Sequence, residues 1–249
     1  VNVSCEKKKA MGDTNEKEAY TPEPVNPACF NSKCSLPYSL EIEHIRQSME
    51  DFIHFIGVIN RQLNSEETPG IETFLMAASF SSIVGEFIAS RIPKYCPTLV
   101  KNRYHNEHPD LIPKGMFSDD AVQYTHEGIE VKASRYTSGW QGHNPEPVWL
   151  MVFHFDSNTP GDVSPRPFCF KGVYSAKLDK NDWSFSGRSG TSRRTTTASV
   201  TREVVKKMKE NWIYNGFPLR TLRLCGDTPF LQWTYDRKQK VCPQHFYAS

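Results

Sequence analysis

Apolar residues recur at helical spacing early in the chain and at strand spacing later. Between Ser39 and Leu63, residues Ile42, Ile45, Met49, Phe52, Ile56, Ile59 and Leu63 alternate three and four apart, and Ile53, Phe55 and Val58 widen the stripe. This predicts an amphipathic helix packed on its own domain, with Ser39 as cap and Glu41 and Glu43 at its positive end. Thr68-Pro69-Gly70 then breaks the chain. A second helix is expected from about Ile71 to Arg91, stopping before Pro93, with Leu75, Ala78, Ser79, Ser82, Ile83 and Glu86 sharing its packed face. Glu86 stands out there, because a buried carboxylate is costly unless something pairs with it.

Downstream the period shortens to two. Ile129, Val131 and Ala133 alternate with Glu130, Lys132 and Ser134, the pattern of a half-buried strand. The nearly continuous apolar run from Pro147 to Asp156 fits a central strand covered on both faces. Another strand is expected over Phe168 to Leu178, then a helix from Val200 to Tyr214 with Val204, Val205, Met208 and Trp212 facing the core. Two short strands, Pro229 to Asp236 and Lys240 to Cys242, close the chain. Residues 1–38 are polar and proline-rich and read as an extended or disordered arm. Residues 39–249 read as one domain with its core in about 71–214, an α/β fold with a mixed sheet flanked by helices.

Candidate chemistry gathers in Pro109 to Lys132. Alternation puts Glu130 and Lys132 on one strand face. If the segment starting at Asp110 pairs with that strand as a hairpin, Asp110 and Glu130 converge on one divalent cation with Lys132 beside it. Two carboxylates suit Mg2+, which keeps several waters and takes phosphate oxygens as its other ligands. Such an ion polarises a phosphoryl oxygen and acidifies a water, and a nearby lysine orients that water or offsets developing charge. Asp119-Asp120 is a rival first acid, in a stretch that reads as a turn. His105 and His108, three apart with no helical pattern, are expected to shape the approach to the site.

Pro109-Asp110, a spacing of about twenty residues and Glu130-Val131-Lys132 on an alternating strand resemble the PD-(D/E)XK nuclease superfamily. The resemblance implies a restriction-endonuclease-like fold. It implies Asp110, Glu130 and the Val131 carbonyl as Mg2+ ligands (Mn2+ substituting), and Lys132 as the catalytic lysine. Glu86 resembles the helical glutamate that many such nucleases point into the site. The activity implied is Mg2+-dependent endonucleolytic cleavage of double-stranded DNA by a homodimeric type II restriction enzyme, in a prokaryotic cytoplasm. A repair, recombination or homing nuclease on the same core, and a non-catalytic DNA-binding protein on that fold, are the rivals.

Two loops are candidate DNA contacts. Arg135, Gln141, His143 and Asn144 follow the acidic strand, where Gln and Asn can read adenine and Arg guanine. Arg188, Arg193 and Arg194 lie in a Ser, Thr and Gly-rich stretch able to follow a phosphate backbone. Lys and Arg number 30 against 28 Asp and Glu, leaving +2, so any basic surface must be local. No apolar run approaches a membrane span, and no signal peptide is expected. Seven scattered cysteines read as reduced thiols of a cytosolic protein. Neither Cys29 with Cys34 nor Cys225, Cys242 and His245 makes a strong zinc pattern.

Overall fold

The computed structural model describes residues 20–104, 107–142, 147–162, 166–185 and 198–216. The expected terminal strands, with Cys225, Cys242 and His245, lie outside them, as do His105, His143, Asn144, Arg188, Arg193 and Arg194.

The helical seam forms α1, Ile42–Ser65, whose buried positions include Ile45, Met49, Phe52 and Ile56. Ser39 is not its cap. Ser39 sits at a φ of 56°, and Glu41 takes the cap position, its N–H donating to His44 Nδ1 at 3.1 Å. The second helix, α2, is Ala77–Tyr95 and runs through Pro93 in its last turn. Its packed stripe is Phe80, Val84, Gly85, Ile88, Ala89 and Ile92. Ala78, Ser79, Ser82 and Glu86 lie off this stripe, Ala78, Ser79, Ser82 and Glu86 facing outward, so the expected face is on the wrong side of the helix. Small residues there reflect contact with solvent, while Gly85 marks the close approach: a Cβ on it would meet the Val131 carbonyl at 3.7 Å.

Among the described residues the strands, in chain order, are β1 Leu99–Lys101, β2 Leu111–Pro113, β3 Ile129–Ser134, β4 Gln141–Gly142, β5 Trp149–Asp156, β6 Cys169–Lys177, β7 Trp183–Phe185, β8 Ala198–Val200 and β9 Trp212–Asn215. Six of them form a mixed sheet in the order β1-β2-β3-β5-β6-β9. β3 and β5 are parallel and every other neighbouring pair is antiparallel. The expected hairpin is present, with Leu111 opposite Ile129. β5 is central and buried along its length, as its apolar run requires. The other three strands make a small sheet in the order β4-β8-β7.

The expected helix at 200–214 is shorter. It is α3, Arg202–Glu210, and Trp212 begins β9 instead. Val204, Val205 and Met208 do face the core. Trp-Ile-Tyr suits a pleated surface, and pairing of Tyr214 with Val173 and Trp212 with Tyr174 overrides the helical periodicity.

Alternation on β5 divides the interior between the two faces of the large sheet. Met151, Phe153 and Phe155 pack with α1 and α2. Leu150 and Val152 pack with α3 and with Trp140, Trp183, Ala198 and Val200 of the small sheet and its approach. Residues 23–35 run against the β6–β9 side, where the Asn31 amide donates to the Ile213 carbonyl at 3.0 Å and Phe30 bridges Tyr214. Among the described residues no helix is long and apolar enough to cross a membrane.

Candidate active site

β2 and β3 pair through a single residue pair and then part. Extending the antiparallel register by one position sets Asp110 across from Glu130, on the sheet face that Leu150 and Val152 share. Where the next ladder bond would fall, the Asp110 side chain takes its place: the Val131 N–H donates to Asp110 Oδ2 at 2.7 Å. N–H and C=O of one strand residue point the same way, so the Val131 carbonyl also faces the Asp110 side. The base of the fork is fixed twice. The Asn102 amide donates to the Asp110 carbonyl at 2.9 Å, and the Asn102 side chain bonds the Pro109 and Val122 carbonyls at 3.2 and 2.8 Å.

Glu130 is 9% exposed and has a cation or imidazole on each oxygen. Lys132 Nζ lies 2.7 Å from Oε1, and His108 Nδ1 lies 3.0 Å from Oε2. Burial alone would raise the Glu130 carboxyl, but Lys132 and His108 outweigh it and hold it down to about 2. Asp110 moves the other way. Burial pushes its carboxyl well above 3.8, and the charge of Glu130 adds to the push; the Val131 N–H and Lys132 only partly offset them. Two neighbouring carboxylates are thus kept apart in charge, Glu130 ionised and Asp110 reluctant to ionise.

Glu86 stands at the rim, its side chain 59% exposed, 2.5 Å from Lys101 Nζ. Its charge reaches Asp110. Of the expected groups, Asp110, Glu130 and Lys132 meet at the fork with the Val131 backbone at its edge, while Glu86 stays exposed beside Lys101. Asp119 and Asp120 lie in a turn at positive φ, where Asp120 Oδ1 accepts from the Gly115 amide at 2.8 Å.

His108, expected to shape the approach, touches Glu130 itself. Two further contributors had no place in the sequence reading. Lys101 pairs with Glu86 across fifteen residues of sequence, a partnership no local pattern announces. Tyr38 fixes the entrance to β3: its hydroxyl accepts from the Gly128 amide at 2.8 Å and donates to Glu127 at 2.9 Å. Burial and the Glu127 bond push that hydroxyl up to about 12.

The expected DNA contacts divide. Arg135 is turned inward, donating to the Ser157 carbonyl at 3.0 Å and to that of Asn158 at 2.5 Å, with its guanidinium against Phe80 and Phe155. Gln141 is exposed on β4. Gly142 pairs with Ala198, and Ala198 with Phe185. Gly142, Ala198 and Phe185 therefore lie side by side at one end of the small sheet.

The donor set fits a hard divalent cation. Asp110 and Glu130 offer oxygens whose mutual repulsion a cation would relieve, and the Val131 carbonyl faces the same side. Among the described residues no group of three or more His, Cys, Asp or Glu gathers into a metal cage; Mg2+ does not need one, since it keeps waters and takes substrate phosphates. No family model matches the chain, and no curated protein and no solved structure matches it.

Proposed function

We propose that this protein is a Mg2+-dependent endodeoxyribonuclease of the PD-(D/E)XK type, with a restriction-endonuclease-like fold, most like a homodimeric type II restriction enzyme acting on double-stranded DNA. The observation that carries the proposal is the fork between β2 and β3. There Asp110 is locked to the Val131 amide opposite Glu130, with Lys132 Nζ 2.7 Å from the Glu130 carboxylate. A structural ion pair would explain Lys132 and Glu130. It would not explain a second carboxylate placed where its own ionisation is opposed.

Asp110 and Glu130 would hold the cation, with the Val131 carbonyl as a further ligand. When bound, Mg2+ supplies a Lewis acid for the phosphoryl oxygen and lowers the pKa of a water. Lys132 carries its charge to the side of the site where negative charge grows on the phosphate. His108 keeps the Glu130 carboxylate in one orientation through Oε2. Glu86 adds negative charge at the rim. Two copies would be needed to cut both strands of a symmetric site.

Incubation with supercoiled plasmid and Mg2+ tests this. Relaxed and linear products that vanish with EDTA, and with Asp110→Ala or Glu130→Ala, are expected, while both variants keep DNA binding because phosphate contacts elsewhere supply most of the affinity. Discrete fragments support the restriction assignment; cleavage only of branched or single-stranded DNA moves it to repair. No cleavage by the wild-type chain on any of these substrates removes it.

A further inference from the structure

The segment that leads into β3 sets an aromatic corner beside the fork. His108 Nδ1 lies 3.0 Å from the Glu130 carboxylate. The Tyr124 ring stacks on His108, with centroids 5.6 Å apart and planes 23° from parallel. His126 stands across Tyr124 at 85°, with centroids 5.2 Å apart, and its Nδ1 is 3.4 Å from the Tyr124 hydroxyl. Glu130 and His108 are inside, whereas Tyr124 is 49% exposed and His126 is exposed. From the interior outward the order is carboxylate, imidazole, phenol, imidazole. The outer two rings meet solvent nearly at a right angle, one ring removed from Glu130.

The corner is built on fixed backbone. The Asn102 side chain bonds both the N–H and the carbonyl of Val122, at 3.0 and 2.8 Å. The His108 N–H donates to the Gln123 carbonyl at 3.1 Å, and the His108 carbonyl accepts from the Thr125 N–H at 3.1 Å. Thr125 Oγ1 accepts from the Glu127 N–H at 3.1 Å. These bonds flank Tyr124 on both sides. They come from the same Asn102 and His108 that position Asp110 and Glu130. A ring already held in place loses little freedom when a flat partner lands on it. Burial of the phenol does not account for the arrangement, because half of the residue stays in water. Aromatic faces and edges of this kind pair with other flat rings, and every nucleobase offers one.

We propose that Tyr124 and His126 form a stacking platform for one unstacked nucleobase of a DNA strand whose phosphate lies at the Asp110–Glu130 site. The inference deepens the nuclease reading and rests on it for the identity of the ligand. The base comes from a single-stranded segment or is turned out of a duplex, and the contact is the same in both cases. Stacking tolerates any base, so the platform sets where the strand sits rather than which sequence is read.

Photocrosslinking of 5-iodouracil oligonucleotides to the wild-type chain, in Ca2+ and with the attached residues mapped by mass spectrometry, tests it. Crosslinks from a single-stranded probe to Tyr124 or His126 are expected. Their appearance with a fully paired duplex as well assigns a base turned out of the helix, and their absence there assigns an unpaired one. Crosslinks confined to other residues, or none, overturn the proposal. Affinity for the single-stranded probe is the second measurement. Tyr124→Phe keeps the ring and should bind like the wild type. Tyr124→Leu still covers His108 but cannot stack, and should bind roughly 5- to 150-fold more weakly with a melting temperature near wild type. Equal affinity of Tyr124→Leu and wild type overturns the platform. DNA cleavage without crosslinks at the corner removes the platform and leaves the nuclease. Crosslinks at the corner with the expected loss in Tyr124→Leu, but no cleavage by the wild type, keep the platform and remove the nuclease.

Discussion

Asp110 is held where the fold alone would not choose a carboxylate. Burial, then the Glu130 charge, raise its pKa above 3.8. A raised acid leaves stability untouched below its unfolded value and erodes it as pH climbs from there toward the folded value. Asp110→Asn keeps an acceptor for the Val131 amide and removes the charge. It should raise the melting temperature of the cation-free protein at pH 7 by a few degrees, 1 kcal/mol being worth about 2–4 °C in a chain of this size. The gain should disappear below about pH 4, and thermal melts across pH measure it. Glu130 behaves oppositely. Its carboxyl, held at about 2, contributes stability above its ordinary 4.5 that is lost as pH falls through the window between them. Lys132→Ala withdraws the ammonium from Glu130. Cleavage should fall by roughly 10²–10³-fold, the loss expected for one group aimed at developing charge. Mn2+ binding should persist, because an ammonium is no metal ligand. Unchanged cleavage would make Lys132 a structural partner of Glu130 and nothing more.

At the scale of elements the site depends on how tightly the β2–β3 fork is closed at its base. Gly128 enters β3 at a φ of 143°, and a Cβ there would lie 2.1 Å from the Leu111 carbonyl and 2.5 Å from Pro109. Gly128→Ala should therefore destabilise the protein by about 3 kcal/mol or more, as strained positive φ and overpacking add. A urea midpoint close to wild type would contradict this. The fork was legible in the sequence because strand alternation fixes which side chains share a face, and because Asp110 lies about twenty residues from Glu130. The seam of α1 and the apolar run of β5 were legible for the same reason of period. The face of α2 was not. Its Ala and Ser residues mimic a close-packing stripe, and the packed positions Phe80, Val84, Ile88 and Ile92 show themselves only once β3 is beneath them. Trp212 to Tyr214 read as helix because their partners on β6 lie some forty residues earlier in sequence. Lys101 was invisible for that reason too: its meaning comes from Glu86, reached only by folding.

Across the whole molecule the charge is nearly balanced, +2 from 30 basic and 28 acidic residues. The proposed nuclease would therefore have to hold DNA by local basic segments rather than by its overall field. Of the candidates, Arg135 already donates to two backbone carbonyls, which leaves Arg188, Arg193 and Arg194 as the concentrated source of guanidinium groups. Their segment joins the small sheet at both ends: it leaves β7 at Phe185 and returns at Ala198, which pairs with Gly142 of β4. That sheet packs on the face of β5 formed by Leu150 and Val152, which are paired with Glu130 and Lys132. Changing all three arginines to Ala should weaken binding and flatten the dependence of log affinity on log salt, by about 0.9 for each phosphate no longer neutralised. If one of them reads guanine, its single variant should relax sequence preference at a cost of about 1–3 kcal/mol for the preferred site. The measurement is binding over a salt series on specific and random duplexes, with melting curves confirming that the variants fold. An unchanged slope with unchanged affinity would remove this segment from the interface and shift the DNA-binding role to Gln141, His143 and Asn144.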